Sequence, residues 1–145
     1  MNAQWANISN FLLYLGVSIP LLWIGMYAFS LTTPYNDFAI LRKGGDVSDS
    51  GHVDAAMATA YDLGGKILGL AIVLSSAIFH SVNLFDLTLW GMVSIVFEVI
   101  VFCLFRLLMP IKVTEEIPKG NVSVGILSAS ISIASGLMMA ALISY

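Results

Sequence analysis

Residues 121–145 read NVSVGILSASISIASGLMMAALISY, a run of 25 residues without one Asp, Glu, Lys, Arg or His. A helix rises about 1.5 Å per residue, so about 20 apolar residues cross roughly 30 Å of hydrocarbon. Three more stretches meet that length. Residues 11–32 hold 22 residues with no charge, 67–85 hold 19 with only the titratable His80, and 87–105 hold 19 with a single charge, Glu98. Backbone polar groups in lipid are satisfied only by helices or closed barrels, and these runs lack the alternation of barrel strands. The reading is four transmembrane helices.

The rest of the 145-residue composition agrees. Hydrophobic residues make up 59% and charged residues 10%, against about 25% charged in ordinary soluble domains. So few charges cannot coat four buried helices in water. A typical soluble enzyme and a disordered tail are excluded. A net charge of −3 excludes a nucleic-acid binder, and one cysteine excludes a disulfide scaffold. The first ten residues carry no Lys or Arg, and the apolar run after them is longer than a signal-peptide core. The first span is therefore expected to stay in the protein.

All six basic residues fall on one side of the four spans. Arg42, Lys43 and Lys66 lie between or beside spans 1 and 2, and Arg106, Lys112 and Lys119 between spans 3 and 4. Positive loops stay inside, which predicts a multi-pass membrane protein with these two loops on the cytoplasmic side and both termini outside. Trp5, Tyr14, Trp90 and Tyr145 are expected in the outer aromatic belt, and Tyr35, Phe38 and Tyr61 in the inner one. Lys66 is expected to snorkel to the inner headgroups, as is Arg106.

The halves echo each other. Pro34 is followed nine positions later by Lys43-Gly44, and Pro110 nine positions later by Lys119-Gly120. The fold class is thus all-α: an integral membrane four-helix unit of two tandem helical hairpins in a parallel repeat. The hairpins are 11–86 and 87–145, in one membrane domain. Within the first, 1–65 holds the first span and an inserted loop rich in Gly, Ser and Asp, and 66–86 holds the second span.

Small residues mark helix seams. Ser128, Ser132, Gly136 and Ala140 recur every four residues in span 4, and span 2 carries Gly65 and Gly69. In lipid, close backbone approach drives helix association. These residues serve either intramolecular packing or a homo-oligomer seam. Pro20 inside span 1 frees the carbonyl of Gly16.

Glu98 is the most informative side chain. It lies 12 residues from Asp86 and 8 from Arg106, so near mid-membrane, where an ionisable residue is costly and marks a candidate functional site. Burial favours its protonated form. It either fixes register as a neutral acid bonded to Ser75, Ser76, Ser130, Ser132 or Ser135, or carries a proton or ion. His80 is either a relay towards Asp86 or Glu98, or an interfacial anchor. Asp62 and Lys66 are spaced for an i,i+4 pair. The loop set Asp46, Asp49, His52 and Asp54 fits neither an EF-hand nor a zinc pattern, so no metal is expected. No catalytic set or dinucleotide fingerprint appears, and neither an enzyme nor a cofactor is expected.

Several short elements carry a resemblance. Thr33-Pro34-Tyr35-Asn36-Asp37, Gly65-x-x-x-Gly69 with Leu74-Ser75-Ser76-Ala77, Trp90-Gly91, Arg106 and Met109-Pro110 together resemble the YjfL-like bacterial inner-membrane family, known as domain of unknown function 350. The resemblance covers residues 12–143. It implies four helices in two tandem units in the bacterial cytoplasmic (inner) membrane, no catalytic residues to carry over, and a partner protein from a membrane-stress system. The Gly/Ser/Asp insertion, the Asp62/Lys66 pair and Glu98 depart from the pattern. Lipid and a homo-oligomer are the other expected partners. The functional expectation is an interaction component that oligomerises and docks a partner through loops 34–54 and 110–120. The alternative is a small transport or proton- or ion-conducting subunit using Glu98.

Overall fold

The long helices begin where a short polar side chain can satisfy their first free N–H groups. In the computed structural model, which describes residues 3–144, Asp49 accepts from the amides of Gly51 (2.9 Å) and His52 (3.3 Å). Asn83 accepts from Asp86 (2.9 Å), and Asn121 from Val124 (3.4 Å). These caps start α3 (Ser50–His80), α4 (Leu84–Leu108) and α6 (Val122–Ile143). The first helix, α1 (Ala3–Thr32), passes through Pro20 without a break and ends two residues before Pro34. Two short helices fill the longer connections: α2 (Asp37–Lys43), capped by Asn36, and α5 (Val113–Glu116).

Four helices, Gln4–Thr32, Ser50–His80, Leu84–Leu108 and Val122–Ile143, are long and apolar enough to span a membrane, and the described residues contain no strand. All four expected spans are present. The second is longer than its apolar core: α3 has 31 residues, about 46 Å at 1.5 Å per residue. The expected inserted loop is therefore mostly helix. Between α2 and the second span, irregular chain is confined to 44–49, because Asp49 caps a helix that runs unbroken through the expected boundary at 65/66.

The central contact is between α3 and α6, which run parallel. Ala58 lies beside Gly125, Gly65 beside Ala129, and Gly69 beside Ser132 and Gly136. A Cβ on Gly136 would collide with the backbone of Gly69, so this approach requires glycine. Ser76 closes the seam by donating to the carbonyl of Ala140 at 2.8 Å. α4 lies against α1, α3 and α6, whereas α1 lies against α3 and α4. One apolar cluster, Leu21, Phe29, Leu70, Leu74 and Ile95, joins α1, α3 and α4. A second, Ala58, Phe102, Phe105, Val113, Ile117 and Val124, joins α3, α4 and α6 to the α5 loop.

The α5 loop is folded onto the bundle: Val113 and Ile117 are fully buried. Its last turn needs Gly120, the one described residue with positive φ (+90°), pressed against Asp54 and Ala55 at the start of α3. Phe38, Tyr61 and Trp5 are exposed as the aromatic belts require. Tyr35 and Trp90 instead pack inward, Tyr35 against the second cluster and Trp90 against Val73, Met139 and Ile143. Tyr145 lies outside the described residues.

Candidate intramembrane polar site

Two tiers of buried polar groups lie between α3, α4 and α6. The first is built on α3. Asp62 and Lys66 are one helical turn apart, and Lys66 Nζ sits 2.7 Å from Asp62 Oδ2 with both side chains shut off from the surface. Ser128 of α6 donates to Asp62 Oδ1, and Tyr35 donates to Oδ2 at 3.4 Å. The ammonium lies 3.7 Å from the ring centroid of Phe102 on α4, a cation–π contact whose strength rises as water is excluded. The carboxylate thus has three donors, and the ammonium has an anion and an aromatic face.

This overturns the expected snorkelling of Lys66. Snorkelling needs a lipid-facing position, and Lys66 shares the seam face with Asp62, Gly65 and Gly69, in the helical spacing i, i+3, i+4, i+7. Arg106 remains exposed, and it donates to the carbonyl of Thr32 at 3.1 Å. That bond satisfies one free carbonyl at the end of α1, whose last turn has no basic residue.

Asp37 connects this tier to the short helix α2. It is 2% exposed, and Thr33 donates to its Oδ2 at 3.3 Å, while Oδ1 has no partner among the described residues. Burial pushes the Asp37 carboxyl above its ordinary value. Lys66 opposes that rise, Asp62 adds to it, and the Thr33 hydrogen bond opposes it. Burial, then the charges of Asp62 and Asp37, also raise the Tyr35 hydroxyl. Tyr35 and Asp37 belong to the site but were absent from the residues expected to carry it. The signal available was their position directly after the helix-ending Pro34.

The second tier is Glu98, which is 1% exposed on α4. Its Oε2 lies 2.9 Å from Ser135 Oγ, and Ser135 Oγ lies 2.9 Å from the carbonyl of Ser132. Its Oε1 has no partner among the described residues and faces Gly69. Of the serines expected beside Glu98, Ser135 and the Ser132 backbone are there. Ser75 and Ser130 are exposed and bonded to their own helices, and Ser76 is bonded to Ala140.

The remaining expected residues fall outside this site. His80 is exposed, with Nδ1 2.8 Å from the carbonyl of Ser76. Asp86 accepts from the amide of Val82 at 3.0 Å, and no hydrogen bond joins it to His80 among the described residues. Pro34 and Pro110 are exposed helix terminators, and Thr33 is buried on Asp37. Gly65, Gly69, Ser128, Ser132, Gly136 and Ala140 all lie in the α3–α6 contact. The small-residue seam is therefore occupied within the chain.

The family model described as Domain of Unknown Function (DUF350) matches residues 3–143. The chain is 26% identical over 139 residues to the UPF0719 inner membrane protein YjfL of Escherichia coli (strain K12), covering 96% of each protein. It is 31% identical over 143 residues to the UPF0719 transmembrane protein YshE of Bacillus subtilis (strain 168), covering 97% of this chain and 98% of that one. No solved structure matches it.

Proposed function

The chain belongs to the family described as Domain of Unknown Function (DUF350), and on that premise we propose that it is a small non-enzymatic membrane subunit in which Glu98 binds and releases a proton or small cation. The supporting observation is the burial of Glu98 at 1% exposure without a counter-ion among the described residues. An acid in a membrane bundle is costly, and such residues mark proton and ion pathways. Proteoliposomes under an imposed pH or cation gradient test this. Protein-dependent flux is expected, falling to the empty-liposome level in Glu98→Gln. Equal flux in both proteins contradicts the reading.

A second reading is a docking role for the loop face. It draws support from Val113, Ile117 and Asp37, whose burial folds both connections onto the bundle and fixes the exposed charges above them. The positive-inside count supports a cytoplasmic position for this face, with both termini outside. A partner protein would then meet loops 34–54 and 110–120. Self-association would use lipid-facing surface such as that of α1, since the α3–α6 seam is filled. Crosslinking in membranes followed by capture of the intact protein tests docking, which predicts a defined complex lost on charge reversal of Lys112 and Lys119. An impermeant reagent on a C-terminal tag in intact cells tests orientation, and labelling is expected.

A further inference from the structure

We propose that the ligand of the Glu98 site is a proton, held as a neutral carboxylic acid that donates to Ser135 Oγ while Ser135 donates to the carbonyl of Ser132. The inference rests on the proton- or ion-linked reading above and chooses between its two ligands.

The argument is a count of hydrogens. Glu98 Oε2, Ser135 Oγ and the Ser132 carbonyl form a chain with two links of 2.9 Å. A carbonyl oxygen and an ionised carboxylate can only accept, and a serine hydroxyl has one hydrogen to give. If Glu98 were ionised, one link would join two acceptors with nothing between them. A proton on Oε2 completes both links. The unpartnered Oε1 then becomes the carbonyl oxygen of a neutral acid. A carbonyl left without a donor costs far less than a buried carboxylate left without one.

The same oxygens make a poor metal site. Hard cations take about six oxygen ligands, whereas this chain of contacts offers the Glu98 carboxyl, one hydroxyl and one carbonyl.

The surrounding charges do not supply a counter-ion. On α3 the nearest groups are Lys66 and Asp62, already engaged with each other, and Lys66 also with Phe102. The helices α6 and α1 contain no Asp, Glu, Lys, Arg or His. On α4 itself Asp86 and Arg106 stand at the two ends. Losing the proton would place an uncompensated charge against the Gly69–Ser132 contact, where α3 and α6 touch backbone to backbone.

The chain has three glutamates, Glu98, Glu115 and Glu116, so infrared difference spectroscopy of the intact protein in lipid bilayers, with 13C-labelled glutamate, reads the site without any substitution. Glu115 and Glu116 lie on the α5 loop and pair with Lys112 and Lys119. The expected result at neutral pH is a protonated-carboxyl band from one glutamate in three. That band disappears in Glu98→Gln, shifts in Ser135→Ala, and is unmoved by sodium at fixed pH. Absence of the band at neutral pH overturns the proposal, and so does its loss on adding sodium. Flux is a separate readout. A band without flux keeps the proton site and removes the transport role, whereas sodium-dependent loss of the band with flux does the reverse.

Discussion

Asp62 and Glu98 are both buried carboxyls facing the same seam, and the chain treats them differently. Asp62 has a cation at 2.7 Å and donors from Ser128 and Tyr35. Glu98 has one serine and an oxygen with no partner among the described residues. The difference comes from helical spacing. Lys66 is four residues after Asp62 on α3, so the pair forms within one turn whatever the rest of the bundle does. Around Glu98, α4 has no basic residue within a turn, and α6 offers only hydroxyls and carbonyls. A charge brought into lipid with its partner is fixed, and one brought in alone is free to change.

The largest effect that breaks this comparison comes from splitting the pair. Lys66→Met or Asp62→Leu alone leaves a buried uncompensated charge and is expected to destabilise the fold by about 3–5 kcal/mol. The double variant is expected to recover most of that loss, because the pair itself contributes little net stability. Thermal unfolding in mild detergent measures all three, and additive losses in the double variant would contradict the assignment.

Next in size is the seam that holds both carboxyls. Gly136→Val drives side-chain atoms into the Gly69 backbone and is expected to cost about 1–3 kcal/mol or more, as overpacking does. Gly16→Val, at a position with open space around it, serves as the control and is expected to leave the melting temperature within a degree or two.

Smaller again is Glu98→Gln. Replacing a neutral acid by an amide of the same shape is expected to change stability by about 1 kcal/mol or less, far below the loss at Asp62. A loss as large as that of Asp62→Leu in the same unfolding assay would erase the distinction between the tiers.

The smallest expected effect is at Asp37, outside the spans. Burial raises its carboxyl, so the folded state holds that proton more tightly than the unfolded chain, whose ordinary value is 3.8. Its contribution therefore favours folding at acid pH and is lost as pH rises from that ordinary value through the raised folded one. Hydrogen exchange of the α2 amides is expected to slow on acidification beyond the intrinsic chemical trend. Asp37→Asn is expected to remove that excess.

The spans were legible because their charge-free length reads directly as membrane thickness. Residues 11–32 and 87–105 lie wholly on α1 and α4, whereas 67–85 runs past the end of α3 at His80 into the start of α4, and 121–145 overruns both ends of α6 (Val122–Ile143). Helix ends were less legible. The start of α3 at Ser50 depends on the Asp49 cap, in a stretch whose Gly, Ser and Asp content suggested a loop. Depth alone offered five serines as neighbours of Glu98, and the side chain of one of them, Ser135, is its partner. The fate of Lys66 was not legible from hydropathy, which records that a lysine is near a helix end and says nothing of which face it occupies. The pattern 62, 65, 66, 69 held that information. Tyr35 and Asp37 were marked only by their place after Pro34, because they join the site through a reversal of the chain after α1 and no local period reports such a contact.

Magic-angle-spinning NMR of the intact protein in bilayers gives the most direct test of the two tiers, through the 15N–13C coupling between Lys66 Nζ and the Asp62 carboxyl. The structure predicts a detectable through-space coupling, as the 2.7 Å contact of Nζ with Asp62 Oδ2 requires, unchanged by Glu98→Gln. No coupling at Asp62, or a Lys66 ammonium found beside Glu98 instead, would contradict it.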